Sequence, residues 1–266
     1  MKAAVFAYLT LALLSIGAEP RIEDLISQAI ASGEKRDFAT AARGLTRALE
    51  MEAPRNVRYF AHLLRATARR ECGDRAGGMV DFADAIALMP EDPRGFLFRG
   101  DALRTDGRTD EALADYLKAS ELAPAPAEAL VRAGALKYEA REYPAAIEFF
   151  SRALKADPSF VPAYYGLCRA KADGGDFTGA LAVMDALLAI QPKEAEAYHH
   201  KGAILYAQKA TVHLEPALEA FNKAIELNPN RAIYYRARAN CRSLLGDSDG
   251  ARADVETFNA LNRRTR

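Results

Sequence analysis

The side chains of this 266-residue chain best suited to ligate a metal or attack a substrate are its four histidines and three cysteines. His199 and His200 stand side by side, with His213 further along, and imidazole is the commonest nitrogen ligand of zinc. Adjacent residues on a helix point in different directions and rarely ligate one ion together. The spacing therefore favours solvated or surface-lining histidines, and no metal is expected. A nucleophilic thiol needs a histidine partner and an electropositive, exposed setting. Nothing around Cys72, Cys168 or Cys241 supplies these, so buried free thiols are expected. The stretch Gly73-Asp74-Arg75-Ala76-Gly77-Gly78 is rich in glycine, but it lies between two helical segments and reads as a turn, not a phosphate cradle. The chain has no His-Glu-x-x-His pair. Neither a catalytic residue nor a cofactor is expected.

The elements that carry these residues follow a period. Pro90, Pro124, Pro158, Pro192 and Pro229 recur at spacings of 34, 34, 34 and 37, each closing an alanine-rich helical stretch. Residues 93–126 show the unit: a helix with Phe96, Gly100 and Leu103, an Asp106-Gly107 turn, then a second helix with Ala112, Tyr116 and Ala119. The order returns as Leu130, Gly134, Ala146, Phe150, Ala153, Pro158, and as Tyr164, Cys168, Ala180, Met184, Leu187, Pro192. It returns again as Tyr198, Gly202, Ala217, Phe221, Ala224, Pro229, with three extra residues between the two helices near 208–214. His62, Ala66, Gly78, Phe82 and Ala85 fit the same frame, with His62 replacing the aromatic filler, and so do Tyr235, Ala239, Ala251, Val255 and Phe258. Small residues let two helices approach, and the rings fill what space remains.

These residue types and their period resemble the tetratricopeptide repeat. The resemblance covers 22–58 (degenerate), 59–92, 93–126, 127–160, 161–194, 195–231 and 232–266. It implies an all-α, right-handed superhelical solenoid of about seven helix-turn-helix repeats, each leaning on its neighbours rather than on one central core.

Lysine plus arginine equals aspartate plus glutamate at 36 each, which gives no reason to expect nucleic acid as a partner. Charge is unevenly placed, however. From the second repeat on, the first fourteen residues of each block carry 14 basic and 7 acidic residues, whereas the second helices carry 5 and 15. In proteins of the family this chain resembles, first helices line the concave surface, which implies a basic groove here. The resemblance then places Arg70, Arg94, Arg104, Arg132, Arg169 and Arg236 on that surface, interleaved with Tyr138, Tyr165 and Tyr206 and with His199, His200 and Asn240. Arginine forks hold carboxylates and stack on rings, so the set suits an acidic peptide or partner segment. The other reading is that basic first helices and acidic second helices attract one another within the stack. Arg65, Arg99 and Arg238 fall at packing positions, where their stems are expected to snorkel. A chaperone-tail clamp of the kind some family members carry is not expected, because Thr67, Phe98 and Asp101 stand at the positions that would need its asparagines and cations.

At the N-terminus, Lys2 precedes the uncharged run 3–16 and then Gly17-Ala18, so residues 1–18 read as a signal peptide. The run is shorter than the roughly 20 residues of a membrane span. Export to a periplasm or the outside is expected, with no stable membrane span after cleavage; an uncleaved anchor is the alternative. In the last block Ala251, Val255, Phe258 and Leu261 form a stripe with no polar helix after it, which suits self-association or a partner contact. The functional expectation is an exported, non-catalytic scaffold for protein interaction. A self-associating structural component, or an enzyme with an unrecognised site, are the alternatives.

Overall fold

One left-handed residue sets the turn inside most of the hairpins. Gly73, Gly107, Gly175 and Gly246 have φ of 90°, 76°, 89° and 83°, while Arg36 and Arg141 take 63° and 60° at the same place. Glycine adopts this conformation without a Cβ clash, and a side chain there costs about 1 kcal/mol. The next residue's N–H then reaches back to cap the first helix, as in Arg108 to the Leu103 carbonyl at 2.9 Å and Asp176 to that of Lys171 at 2.8 Å. Asp37, Asp74, Asp176 and Asp247 open the second helix by accepting the N–H of Thr40, Gly77, Gly179 and Gly250.

The computed structural model describes residues 20–122, 126–208 and 210–264. Among them are fourteen α-helices in seven consecutive hairpins and no strand. The pairs are α1 (Pro20–Glu34) with α2 (Phe38–Leu49), α3 (Arg55–Glu71) with α4 (Arg75–Leu88), and α5 (Pro93–Thr105) with α6 (Thr109–Ser120). They continue as α7 (Pro126–Glu139) with α8 (Tyr143–Ala156), α9 (Val161–Asp173) with α10 (Phe177–Ile190), α11 (Ala195–Ala207) with α12 (Leu214–Leu227), and α13 (Ala232–Leu244) with α14 (Ser248–Arg264). A 3-10 turn, Thr211–His213, links α11 to α12 where the extra residues fall. The signal peptide expected at 1–18 and the expected helix stop at Pro124 lie outside the described residues. No described helix is long and apolar enough to cross a membrane.

The chain divides into two compact units after Ala129, within α7. In the first, Ile22, Ile26, Leu45, Tyr59, Leu63, Leu64 and Phe82 form one buried cluster. Gly100 lies against the Tyr116 ring so closely that an added Cβ would stand 2.6 Å from Cε1. In the second unit the same device recurs between and within hairpins. The Phe150 ring is wedged between Gly134 and Gly166, where added Cβ atoms would stand 2.8 and 2.3 Å from its Cε1, and Phe221 lies 2.7 Å from such an atom on Gly202.

Two further devices hold the hairpins. The heads of Arg65, Arg99 and Arg238 do not reach for solvent as expected; each turns inward to a buried aspartate sixteen residues on. Arg65 Nη2 meets Asp81 at 2.6 Å, Arg99 Nη2 meets Asp115 at 2.7 Å and Arg238 Nη2 meets Asp254 at 2.6 Å, each with a second bond from Nε. Arg69 and Arg242 add a further bond of 2.9 Å to Asp81 and Asp254. A fully desolvated carboxylate needs such partners, and the forked guanidinium supplies them. Part of the charge split therefore serves the stack. In the second unit, successive hairpins are also tied where one helix stops and the next begins. The hydroxyls of Tyr164, Tyr198 and Tyr235 donate to the carbonyls of Pro158, Pro192 and Pro229 at 3.0, 3.3 and 3.0 Å.

Candidate functional site

In the first unit the expected groove arginines are occupied by the protein itself. Arg70 clasps Asp106 with two bonds of 2.7 and 2.8 Å and adds the Ala102 carbonyl and Thr105 hydroxyl. Asp106 is held well below its usual carboxylate range, chiefly by that hydrogen bond. Arg94 pairs with Asp92 through Nε at 2.9 Å, and its guanidinium lies 4.8 Å from the Phe60 ring centre. Arg104 is engaged within the protein as well, and so, in the second unit, is Arg132. Arg70 and Arg94 thus each already have a carboxylate at hydrogen-bond distance within the protein.

The second unit is different. Its first helices α9, α11 and α13, with the α7 residue Tyr138, are joined by a row of rings and carboxylates. Arg169 is exposed, with its guanidinium 4.8 Å from the Tyr138 ring centre and Nη2 3.2 Å from the Tyr138 hydroxyl, which itself donates to Asp173. Tyr165 donates to Glu194 at 3.1 Å, and its ring lies 5.1 Å from that of His200. Tyr234 donates to Glu196 at 2.8 Å and stacks on His199 at 5.0 Å. Burial, and then the nearby Glu194, push the Tyr165 hydroxyl far up, so it remains a donor. Burial and the neighbouring His200 draw His199 down to about 4, so its ring is neutral at neutral pH. Burial likewise lowers His200. Arg236 is exposed and lies 5.3 Å from the Phe258 ring centre. Of the remaining expected residues, Tyr206 packs half-buried against the Leu205 and Leu214 cluster, and Asn240 is exposed on α13. Beside this row, Glu196, His199, Arg231, Ile233, Arg236 and Phe258 help line a cavity of about 620 Å³.

Asp173, Glu194, Glu196 and Tyr234 were not expected at the site. Both glutamates stand at the start of α11, where acids read as helix-dipole partners, and only the hydroxyls facing them reveal another use.

Neither thiol chemistry nor a histidine metal site gains support from this geometry. Cys168 is buried and desolvation pushes it up to about 12; Cys241 is buried with Sγ 3.2 Å from the Leu214 carbonyl. Cys72, expected to be buried, is exposed because it caps the end of α3, where the chain turns outward. Among the described residues, the group that brings three potential ligand atoms together is His62, Asp81 and Asp84. His62 fills a buried position as expected, but it also bonds Asp81 at 3.0 Å, and Arg65 and Arg69 already neutralise that carboxylate.

Known proteins share this architecture. Over 194 residues, 67% of this chain, it is 28% identical to tetratricopeptide repeat protein 16 of Homo sapiens, of whose length the match covers 22%. The crystal structure of a tetratricopeptide repeat protein from Parabacteroides merdae superposes with a TM-score of 0.63 at 19% identity, covering 91% of this chain and 94% of that one. The C-terminal part of a repeat-containing protein from Cytophaga hutchinsonii gives 0.67 at 17% identity, covering 90% and 95%. Three family models, each described as tetratricopeptide repeat, match residues 97–160, 137–205 and 195–231. With the hairpin period, the small-residue seams against Tyr116, Phe150 and Phe221, and these matches in agreement, the chain belongs to the tetratricopeptide repeat family.

Proposed function

We propose that the protein is a non-catalytic interaction scaffold whose second unit takes an extended, acidic partner segment along the face of α9, α11 and α13. The observation that carries this reading is the state of Arg169 and Arg236. Both guanidinium groups are exposed beside an aromatic ring, and neither has a carboxylate ion pair among the described residues. Such a fork can hold a carboxylate in two bonds while the ring supports its face. Asp173, Glu194 and Glu196 each take one tyrosine hydroxyl and keep further lone pairs, which suit the backbone N–H groups of an extended chain.

Fluorescence anisotropy with a labelled peptide of alternating aspartate and proline tests this. Arg169→Glu is expected to weaken binding by about tenfold or more, equivalent to about 1.4 kcal/mol, and binding should fall as salt rises. Affinity unchanged by Arg169→Glu would reject the face as the binding surface.

The proposal also places the mature chain outside the cytoplasm, on the strength of the uncharged run at 3–16 after Lys2. Mass spectrometry of the expressed full chain should find an N-terminus at Ala18 or Glu19. A mature protein that retains the run would return the leader to the anchor reading.

A further inference from the structure

We infer that the Tyr138 hydroxyl is a latch: it holds Asp173, the one carboxylate of α9, away from the Arg169 guanidinium and so keeps that arginine open to a ligand. The inference rests on the reading of the α9, α11 and α13 face as a binding surface, and adds what decides whether its exposed arginine is free to bind.

Arg169 and Asp173 stand four residues apart on α9, so they share one face of the helix. Elsewhere in the chain, opposite charges one turn apart close on each other. Arg108 meets Glu111 at 2.6 Å, Lys118 meets Glu121 at 2.9 Å and Lys223 meets Glu226 at 2.7 Å, each with the cation first in sequence, as in Arg169 and Asp173. The α9 pair instead meets at a single oxygen. Arg169 Nη2 donates to the Tyr138 hydroxyl at 3.2 Å, and that hydroxyl donates to Asp173 Oδ2. A hydroxyl has one proton to give and lone pairs to receive with, so it satisfies both charged groups while standing between them. Ring contacts hold it there. The Arg169 guanidinium lies 4.8 Å from the Tyr138 ring centre, and the Tyr143 ring packs at 5.8 Å.

The latch belongs to the hairpin of α7 and α8, whereas both charges it separates belong to α9. Without the hydroxyl, Asp173 loses a donor and Arg169 an acceptor, and a short side-chain rotation brings them together. The pair then closes as the other one-turn pairs do, and the fork is occupied by its own helix. An incoming carboxylate has to displace Asp173 first. Exposed pairs of this kind are weak, so the expected loss of affinity is about threefold. Tyr138 is thus a positioning residue, which acts on the ligand through Asp173.

Phenylglyoxal, which attacks free guanidinium groups, reads the latch with no ligand present. Its rate at Arg169 is followed in the intact chain by peptide mass spectrometry, with the exposed Arg236 of α13 as internal reference. Tyr138→Phe keeps the ring and removes the hydroxyl. It is expected to slow modification of Arg169 about threefold and leave Arg236 unchanged, and adding Asp173→Asn should restore the rate. Titrated with the labelled aspartate–proline peptide, Tyr138→Phe should bind about threefold more weakly than the wild type, but no more weakly than its parent in the Asp173→Asn background. Were the hydroxyl only a resting place for Arg169, removing it would free the guanidinium and speed the reaction. A faster or unchanged rate in Tyr138→Phe therefore overturns the inference, and so does a slowing that persists in the double variant. A peptide that binds none of these proteins removes the face reading, and the phenylglyoxal rates still decide the latch.

Discussion

Replacing Asp81 by alanine is expected to destabilise the protein by about 3–5 kcal/mol, the usual cost of stranding the partner of a buried ion pair. Asp81 is fully buried and takes bonds from Arg65, Arg69 and His62 at once. Without it, the Arg65 guanidinium, 13% exposed, keeps its charge and has lost its carboxylate. The joint change Arg65→Leu with Asp81→Val should recover most of the loss. The chain itself uses Leu167 and Val183 at those positions three repeats later, both buried. Equilibrium urea unfolding of the two variants decides the matter, and equal losses would contradict the pairing argument.

The same pair gives the acid response a sign. Burial pushes the Asp81 carboxyl up, but the bonds from His62 and Arg65 and the charges of Arg65 and Arg69 outweigh it and hold the group below its ordinary 3.8. A depressed folded value means that the contribution is fully present above 3.8 and is lost as pH falls through the lower, folded value. The wild-type protein should therefore lose more stability across that acid window than the Leu/Val variant does.

Phe150→Ala is expected to cost a further class of stability, about 3–5 kcal/mol, because the ring it removes fills the seam between α7, α8 and α9. The sharper expectation concerns Gly166→Ala. In the native background the new methyl would lie 2.3 Å from Phe150 Cε1, and the ring cannot retreat because Gly134 stands against the same edge. Overpacking of about 1–3 kcal/mol then exceeds the gain of about 1 kcal/mol in helix propensity, and the substitution destabilises. Once Phe150 is alanine the obstruction is gone, and the same substitution should stabilise. A double-mutant cycle by chemical unfolding shows the reversal of sign, and additive effects would mean that the ring is not what keeps residue 166 a glycine.

The hairpins were legible in the sequence because their determinants are local and repeated. Gly100 with Tyr116, Gly134 with Phe150 and Gly202 with Phe221 recur at one spacing, and the turn glycines punctuate it. Arg36 and Arg141 show the limit of that punctuation, since the backbone takes the left-handed turn there without a glycine. The site was harder to read. A tally of charge along first and second helices has the right sign but assigns no partners. Arg70 finds Asp106 across a repeat boundary, whereas Arg169 has a ring instead. Both are arginines on first helices, but Arg70 is the twelfth residue of its repeat and Arg169 the ninth, so they meet different neighbours.

The buried arginine–aspartate pairs bear on how such an array can change in length. Both members of each pair lie on one hairpin, so Arg99 and Asp115, or Arg238 and Asp254, would be copied or lost together. A gene segment one repeat long thus carries its own neutral interior, and duplicating or deleting it strands no ion in the apolar seam. The tyrosine-to-proline bonds make the opposite demand, since each spans a junction. A newly joined repeat keeps this tie only if it presents a hydroxyl to the carbonyl that precedes it, and Phe96 and Leu130, which hold the same place earlier in the chain, could not supply one.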